Sequence, residues 1–573
     1  MIKNKETYTL GICNGETSSA CLFNNSKLVA AVSEERFSRI KLDSSFPIKS
    51  INYVISHANI TLPEIKNISY AWAKNFNPEL KKKYDKRGVD CKKISKLSFE
   101  IFSERIKCEV DRDKKKQNEF EQWAKSSLSK NQLESVSRFY HHEAHAASAA
   151  FLSPFDKGLV LTSDARGDFE ALTIWLFERN SNNPLTKIYS STSSDSLGFF
   201  YGRITGLLGF KPMRHEGKIT GLAAYGDPIK ARSLMRSMID VKNGELIASL
   251  GDLYKPFFSP YSQSLMDEIK KFSREDIAAA AQEHLEWCLS EILKYYSKKN
   301  NIKKMSLMLA GGTFGNVKAT QVLKSLNFIS QTFVQPQMSD GGLCIGAAAL
   351  SMHSRKLKVD PLENVYLGPS VEIKNINDWK DQFPNLNFDI CTSVENKICE
   401  DLTNNHVLGL VRDRMEFGPR ALCNRSIIYK TSDKSINDWL NKRLNRTEFM
   451  PFAPVIRKET AKIAFNNYLS NDLTLKFMTS TINCTKEFAK KCPAVTHIDQ
   501  TARPQIIEKD EDPFLWTLLK KWENISGEMA LVNTSFNAHE EPIICNEREA
   551  VDALINNMID VLYIQNMRIS KKA

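Results

Sequence analysis

Residues 140–151, YHHEAHAASAAF, hold three of the chain's ten histidines. His141 and His145 are four positions apart, and on an α-helix residues i and i+4 lie on the same face. Both imidazoles can therefore reach one metal ion. Two imidazoles alone bind a divalent ion weakly, so further ligands must come from elsewhere in the chain.

Two aspartates follow apolar runs that are typical of β-strands. Asp164 lies in GLVLTSDARGD, and Asp340 lies in QPQMSDGGLCIGAAAL. Together with His141 and His145 they would form a set of two imidazoles and two carboxylates. Such a set holds iron, zinc or manganese and leaves coordination positions open for a ligand. The alternative is that His145 is a buried core histidine and that His141 caps a helix.

The elements that must position these residues are short strands and glycine turns. YTLGI, the turn NGETSS, ACLF and KLVAAV predict three strands near the N-terminus. A glycine turn between two strands is how actin-like ATPase folds bring backbone N–H groups to phosphates. Lys41 follows in a charged segment, which would suit either a loop over an anion or an ordinary surface loop.

Glycine is scarce, with 24 in 573 residues, against a usual frequency of about 7%. Its clusters are therefore informative, and they fall at residues 214–228, 307–316 and 339–348. In the second cluster the strand-like run MSLMLA leads into Gly311 and Gly312, where a glycine backbone can turn tightly and approach a nucleotide. Close packing of a helix on a strand would explain the small residues of the third cluster, but not Asp340 at its start.

Length and composition limit the class of protein. A chain of 573 residues exceeds one ordinary core, so we expect two or more domains. Hydrophobic residues make up 42% and charged residues 25%, as in soluble globular proteins. No apolar run is long enough to span a bilayer, and no signal peptide is evident. Twelve cysteines without a CxxC pair favour reduced thiols and a cytoplasmic protein that does not bind membranes.

The net charge of +12 is unevenly distributed. Residues 74–130 contain 17 Lys and Arg against 10 Asp and Glu, an excess of seven positive charges. A basic patch could face nucleic acid or an anionic substrate. The mixed signs and the apolar spacing of Phe99, Phe102, Ile106 and Trp123 instead favour a solvated helical insertion, and nucleic acid is not an expected partner.

A second half begins after a linker at residues 357–369, which contains two prolines. Its arginines lie in apolar turn sequences, and planar guanidinium groups bind phosphate and carboxylate with two parallel hydrogen bonds. We therefore predict an anion pocket there; the alternative is a scattered set of exposed arginines. The arginines are Arg412, Arg414, Arg420, Arg425, Arg446 and Arg503, and Asn533 and Ser535 lie nearby in NTSFN.

With these motifs the chain resembles the O-carbamoyltransferases of the nodulation, cephamycin and aminoglycoside type (NodU/CmcH/TobZ-like). The resemblance covers nearly the whole length. The motifs that carry it are GETSSACLF, EERFSRIKLDSSFP, HHEAHAASAAF, EGKITGLAAYG, LAGGTFGN, SDGGLCIGAA, MEFGPRALCNRS, EFMPFAPVI, DQTARPQ and NTSFNAHEEPI.

The resemblance implies an α/β protein with two modules. Residues 1–355 would form an actin-like ATPase domain of the ASKHA, TsaD-like type, with the helical insertion at about 74–130, and residues 365–573 would form a YrdC-like α/β domain. The second module would make carbamoyl adenylate from carbamoyl phosphate and ATP with Mg²⁺. The first would transfer the carbamoyl group to a hydroxyl of a small molecule or saccharide. The enzyme would be a monomer or homodimer.

The resemblance also implies site residues. The metal, iron in the family type and otherwise zinc or manganese, would be held by His141, His145, Asp164 and Asp340. Carbamoyl phosphate would be bound by Arg420, Arg425, Arg446, Arg503, Asn533 and Ser535. Nucleotide-facing motifs contain Lys41, Glu216, Gly217, Gly311, Gly312 and Asn316. Glu16 and Asp227 are the candidate general bases.

The chain departs from the family pattern at three places. Glu16 stands where many members have histidine, Cys423 replaces a common glycine, and Ala165–Arg166 replaces the usual Gly-x-Gly after Asp164. The main alternative function is a tRNA-modifying enzyme that uses threonylcarbamoyl adenylate, which the basic segment would favour. A further alternative is a nucleotide-binding scaffold that has lost catalysis.

Overall fold

A computed structural model of the chain describes residues 6–72, 77–446 and 450–572. The first residues of the predicted insertion, 74–76, lie outside the described residues. Mixed β-sheets alternate with helices along the chain, so the predicted α/β class is confirmed. Within the described residues, every helix is too short or too polar to cross a membrane.

The strands are given in chain order. They are β1 (Tyr8–Cys13), β2 (Ser19–Asn24), β3 (Lys27–Ser33), β4 (Asn67–Tyr70), β5 (Ser137–Arg138), β6 (Lys157–Gly167), β7 (Glu170–Glu178), β8 (Leu185–Thr192), β9 (Ile239–Lys242), β10 (Glu245–Ala248), β11 (Met305–Ala310), β12 (Ile329–Val334), β13 (Tyr366–Ser370), β14 (Leu386–Ile390), β15 (Leu408–Val411), β16 (Arg414–Glu416), β17 (Arg425–Lys430), β18 (Ala453–Arg457), β19 (Ile482–Asn483), β20 (Thr501–Ala502), β21 (Gln505–Ile507), β22 (Leu531–Ser535), β23 (Val561–Ile564) and β24 (Met567–Lys571).

The α-helices lie between these strands. They are α1 (Glu35–Ser38), α2 (Ile48–His57), α3 (Pro78–Ile94), α4 (Lys96–Ser127), α5 (Lys130–Ser135), α6 (His141–Leu152), α7 (Leu197–Leu207), α8 (Glu216–Leu222), α9 (Pro228–Met238), α10 (Gln263–Ile269), α11 (Arg274–Lys299), α12 (Val317–Lys324), α13 (Leu343–Ser354), α14 (Ile376–Gln382), α15 (Val394–Thr403), α16 (Ile436–Arg443), α17 (Lys458–Ala464), α18 (Leu473–Lys476), α19 (Lys486–Lys491), α20 (Pro513–Ser526) and α21 (Glu547–Ile555).

The chain divides into two compact units. The first contains residues 1–34 and 44–363, and the second contains residues 35–43 and 364–573. The short segment 35–43 therefore belongs to the second unit although it lies between β3 and α2 in sequence. Arg36 donates to the Gly418 carbonyl at 2.9 Å, and Arg39 donates to the Ile543 carbonyl at 2.8 Å. These contacts fasten the segment, and the sequence analysis did not anticipate them.

The first unit contains the same five-stranded topology twice. In one sheet β1, β2 and β3 form an antiparallel meander, and β4 and β5 extend it parallel to β1. In the other sheet β6, β7 and β8 form the meander, and β11 and β12 extend it parallel to β6. The last strand of each sheet leads into a helix, α6 or α13, and these two helices pack together.

The predicted insertion forms α3 and α4, and α4 has an unusual covered face. Its buried residues include Ile101, Phe102 and Phe120, as apolar periodicity requires. Between them the same face buries four charged residues, Arg105, Glu109, Asp113 and Lys116. Charged side chains are rarely buried unless they are paired, so this face of α4 must meet charged partners.

The second unit is built on an eight-stranded mixed sheet in the order β14-β24-β23-β15-β17-β22-β18-β21. Most neighbouring strands are antiparallel, whereas β15 with β23 and β18 with β21 are parallel. The central strands are rich in Val, Ile and Leu and are buried, as expected of strands covered on both faces. The C-terminal part of β22 carries Asn533 and Ser535, and the turn before β17 carries Arg420, three of the predicted anion-binding residues.

Candidate metal centre

The structure brings His141, His145, Asp164 and Asp340 together. The two histidines lie in the first turns of α6, Asp164 lies in β6, and Asp340 lies in the turn between β12 and α13. One potential ligand atom from each lies within 4.8 Å of all the others. His145 Nε2 is 3.1 Å from Asp164 Oδ2, and the Nε2 atoms of both histidines are 3.8 Å from Asp340 Oδ1.

The four candidate ligands come from corresponding places in the two sheets. The histidines follow β5, the last strand of the first sheet, and Asp340 follows β12, the last strand of the second. Asp164 lies in β6. The corresponding strand of the first sheet is β1, and the turn that follows β1 contacts Asp340. The repeated topology therefore brings residues that are distant in sequence to one point beside the paired helices α6 and α13.

A test of whether a metal fits is the hydrogen bonding of the imidazoles. His141 is fully buried, and among the described residues its Nε2 has no hydrogen-bond partner. Its distance of 3.7 Å to Asp164 Oδ2 is too long for a hydrogen bond. Metal–ligand bonds of about 2 Å place neighbouring ligand atoms at such separations. This buried group of two histidines and two aspartates could therefore bind a metal ion.

The charges within the cluster are mutually compensating. Burial opposes ionisation of Asp164, but the close imidazoles of His141 and His145 and their charges hold its pKa well below its usual range. Burial, and then the neighbouring Asp164 carboxylate, raise the pKa of Asp340. Burial, followed by the charges of the two neighbouring histidines, lowers the pKa of His142 well below its usual value, and its Nδ1 contacts Thr162 Oγ1 at 2.7 Å.

The β1–β2 turn contacts the candidate ligand Asp340 directly. The Glu16 N–H donates to Asp340 Oδ2 at 2.7 Å. A side chain on Gly15 would place its Cβ 2.2 Å from the same oxygen, so glycine is required there. The Glu16 carboxylate forms an ion pair with Arg112 of α4. Glu16, one of the two candidate bases, therefore lies at the edge of the metal cluster.

The second candidate base, Asp227, has a different setting. It is exposed and caps α9, accepting from the Ile229 N–H at 3.0 Å. Its own N–H donates to Asp276 at 2.8 Å. These are the contacts of a helix-capping residue.

The predicted nucleotide-facing residues are placed unequally. Gly311 has a φ of +103°, and a Cβ there would lie 2.1 Å from the Ser163 carbonyl oxygen. A Cβ on Gly312 would lie 3.1 Å from Asp164 Oδ1. The Gly311–Gly312 turn therefore lies beside the metal cluster, with its backbone close to a ligand.

Glu216 and Asn316, two further residues of the predicted nucleotide-facing motifs, form hydrogen bonds within the first unit. Glu216 begins α8 and accepts from the Met213 N–H at 2.6 Å, and burial raises its pKa. Gly217 follows it with open space where a side chain would lie. Asn316 caps α12, and its side chain pairs with that of Gln282 at 2.8 and 3.1 Å.

Two arginines of the second unit form a candidate anion site. Burial, and then the positive charge of Arg503, lower the pKa of Arg420 well below its usual value. Two guanidinium groups that repel each other in a water-poor setting are an arrangement that a bound anion stabilises. Lys41, in the segment 35–43, lies in the same unit. Burial lowers its pKa; the charge of Glu35 opposes this lowering, and the charges of Arg36 and Arg446 add to it.

Amide side chains complete this part of the second unit. Asn533 donates to the Ala421 carbonyl and to Gln505 Oε1, at 3.1 and 2.7 Å. Its Oδ1 is buried without a hydrogen-bond partner among the described residues. Arg446 donates to Ser535 Oγ at 3.2 Å and to the Ser535 carbonyl at 2.7 Å. Gln505 was missed by sequence reasoning, although it directly follows the TARP motif.

Arg425 occupies a position that differs from the predicted one. It is completely buried, and its guanidinium donates to main-chain carbonyls on every side. The acceptors are the carbonyls of Pro369, Arg412, Asp413, Asn424 and Cys545. These contacts use the donor capacity of the guanidinium, so Arg425 holds these loops together, and its predicted role towards carbamoyl phosphate stays a prediction.

Cys423 stands in the left-handed region with a φ of +72°, where a β-carbon costs about 1–2 kcal/mol. We expect Cys423→Gly to be more stable than Cys423→Ala by about 1 kcal/mol, although glycine is the smaller residue. Both variants lose the buried thiol, so the difference between their free energies of unfolding reports the cost of a β-carbon in this backbone conformation. Urea unfolding of the two variants measures it, and an alanine variant at least as stable as the glycine variant would contradict it.

Comparison with known proteins now defines the class. Residues 9–349 match a family profile described as Carbamoyltransferase N-terminus, and residues 399–571 match one described as Carbamoyltransferase C-terminus. The chain therefore belongs to the carbamoyltransferase family and is a carbamoyltransferase enzyme. The resemblance to the NodU type is confirmed.

Two relatives align with almost the whole of this chain. The chain is 32% identical to uncharacterized protein MJ1051 of Methanocaldococcus jannaschii, covering 98% of this chain and 99% of the relative. It is 29% identical to nodulation protein NolNO of Sinorhizobium fredii, covering 97% of this chain and 79% of the relative. Component A of (R)-2-hydroxyglutaryl-CoA dehydratase from Acidaminococcus fermentans aligns over 60% of this chain and 97% of its own at 14% identity, with a TM-score of 0.34, a level that adds nothing to the assignment.

Proposed function

We propose that the protein is an ATP-dependent O-carbamoyltransferase that uses carbamoyl phosphate through carbamoyl adenylate. Membership of the carbamoyltransferase family supports the transferred group. The observation that carries the finer proposal is the presence of two chemically different sites in one chain. The first unit holds a buried cluster of two histidines and two aspartates, and the second holds the mutually repelling pair Arg420 and Arg503.

The second unit would carry out adenylation. Carbamoyl phosphate is a small dianion, and Arg420 and Arg503 would bind its phosphate, with Lys41 and Arg446 supplying further positive charge. The Oδ1 atom of Asn533 would accept a hydrogen bond from the carbamoyl NH₂ group. Water would cleave carbamoyl phosphate into carbamate and inorganic phosphate, and a carbamate oxygen would then attack the α-phosphate of ATP, bound with Mg²⁺, so that pyrophosphate is released. We propose that this unit is the YrdC-like module.

The first unit would carry out transfer. Its twofold repetition of one five-stranded topology supports an actin-like assignment, and the Gly311–Gly312 turn would let the backbone approach the nucleotide. A metal at His141, His145, Asp164 and Asp340, which we propose to be iron, would act as a Lewis acid towards the phosphate of the leaving AMP. Glu16 lies closer to this cluster than Asp227, so we propose Glu16 as the group that accepts the proton of the acceptor hydroxyl. The acceptor would be a small molecule or saccharide.

Pyrophosphate release tests this proposal without a known acceptor. We expect the purified protein to release pyrophosphate from ATP only when carbamoyl phosphate is added. Replacing carbamoyl phosphate with inorganic phosphate is the control, because it supplies a similar anion without a carbamoyl group. Release that is independent of carbamoyl phosphate, or absent with it, would contradict the proposed adenylation.

A further inference from the structure

The buried charges of α4 meet the strand that carries a metal-cluster residue. Arg166 lies two residues beyond Asp164 in β6, and its Nη1 atom is 3.4 Å from both Glu109 Oε1 and Asp113 Oδ1. The exposed fractions of these three side chains are 6%, 0% and 7%. We call Glu109, Asp113 and Arg166 the α4 clamp. Arg166 belongs to one of the departures from the family pattern, and the insertion supplies its partners.

The same clamp holds the β6–β7 turn in a strained conformation. Asp168 and Phe169 have φ angles of +48° and +71°, a region that a bulky side chain such as phenylalanine rarely adopts. Glu109 Oε1 accepts from the Phe169 N–H at 3.0 Å, and the Tyr84 hydroxyl of α3 donates to the Phe169 carbonyl at 2.7 Å. Two of the groups that bind the Phe169 backbone therefore come from the insertion, and the Ser193 N–H also donates to the Phe169 carbonyl, at 3.0 Å.

The β6–β7 turn also fixes the N-terminus of α6. Asp168 Oδ2 accepts from the His141 N–H at 2.7 Å, which caps the helix at its first residue. A Cβ on Gly167 would lie 2.1 Å from the His141 ring, so the turn backbone is packed against that imidazole. A displacement of the turn would therefore move both His141 and Asp164, two of the four residues of the metal cluster.

We propose that the helical insertion positions the metal centre, and that Glu109 is its central positioning residue. Glu109 contacts both Arg166 and the Phe169 N–H, so it ties α4 to two points on either side of the turn. The inference rests on the metal centre of the proposed function. It gives the insertion a role that needs no nucleic acid and no contact with the acceptor.

The electrostatics of the clamp agree with this role. Burial, and then the charge of Glu109, raise the pKa of Asp113 to about 6 despite the nearby Arg166. One guanidinium thus balances two carboxylates, and Glu109 Oε2 and Asp113 Oδ2 are buried without partners in the described part of the chain. Buried ion pairs of this kind specify geometry more than they add stability.

The test is Co²⁺ affinity of the metal-free protein, measured by competition with a chelator. Residues that orient metal ligands typically change affinity by about 10–100-fold when they are removed, so we expect a loss of that size in Glu109→Ala. Glu109→Gln keeps an acceptor for the Phe169 N–H and loses the charge facing Arg166, so we expect a smaller loss, about tenfold. Glu104→Gln, an exposed change on the same helix, is the matched control and should bind Co²⁺ like the unmodified protein.

The visible spectrum of bound Co²⁺ separates positioning from general stability. We expect an altered spectrum in Glu109→Gln at saturating Co²⁺, because the ligand geometry changes even when the site is full. An affinity and a spectrum identical to those of the unmodified protein in Glu109→Gln would overturn the proposal, and this variant decides if Glu109→Ala does not fold. Failure of the unmodified protein to bind Co²⁺ would instead refute the metal centre itself.

Discussion

His145→Ala is expected to leave the purified protein without its transition metal, whereas the unmodified protein carries about one per chain. The substitution removes an imidazole whose Nε2 lies 3.1 Å from Asp164 and 3.8 Å from Asp340. The remaining histidine and two carboxylates form a set that suits weakly held, oxygen-preferring ions. Elemental analysis after extensive dialysis measures the difference.

Heat denaturation provides a second readout of the same change. A ligand that binds the folded state alone stabilises it by about 4 kcal/mol when present at a thousand times its dissociation constant. A chelator should therefore lower the melting temperature of the unmodified protein and leave that of His145→Ala unchanged. His284→Gln is the matched control, because His284 is a buried histidine of the same unit whose Nε2 contacts the Ile239 carbonyl. Equal metal content in His145→Ala and the unmodified protein would refute the site.

Arg420→Ala and Arg503→Ala are each expected to abolish carbamoyl-phosphate-dependent pyrophosphate release. Removing one preorganised charge from a buried site typically lowers turnover by about 100–1,000-fold. The metal should remain bound in both variants, because the cluster of the first unit is untouched.

The controls for this prediction come from the same unit. Arg548→Ala, an exposed change on α21, should release pyrophosphate normally. Arg425→Ala is unsuitable as a probe of binding, because its loss leaves several buried carbonyls without donors and should unfold the protein. Normal pyrophosphate release by both Arg420→Ala and Arg503→Ala would refute the assignment of the anion site.

The two sites should also separate by reaction step. Arg420→Ala should still transfer the carbamoyl group from carbamoyl adenylate supplied in solution, with water as the acceptor where no other is known. His141→Ala combined with Asp340→Ala should release pyrophosphate but transfer nothing. If Arg420→Ala blocks transfer from supplied adenylate as completely as it blocks adenylation, one shared site becomes the better description.

Local patterns in the sequence were sufficient to predict that the four residues of the metal cluster lie together. The spacing of His141 and His145 is a property of one helix, and Asp164 and Asp340 lie in or just after strands that can be recognised from apolar runs. Strand ends on one edge of a sheet converge, so such residues can be grouped before the fold is known. The turn at Gly311 could also be predicted from the sequence, because a positive φ and a close approach of two backbones both require glycine.

Features that depend on distant partners were not accessible. Apolar periodicity predicts a helix for α4 but cannot indicate that Glu109 and Asp113 lie on its covered face, since their partner Arg166 is more than 50 residues away. Arg425 has the residue type and motif of an anion ligand, and its main-chain carbonyl partners are visible only in the folded chain. The membership of Lys41 in the second unit likewise depends on contacts made by Arg36 and Arg39.

The membership of residues 35–43 in the second unit has an evolutionary consequence. Because residues 35–43 fold with residues 364–573, the chain passes from one unit to the other three times. A gene fragment that starts at residue 364 would lack Lys41 and the arginine anchors, so a single fusion or deletion at that point would leave the second unit without this segment. Inheritance of the two units should therefore be linked, and recombined hybrids should function only when both 35–43 and 364–573 come from the same parent.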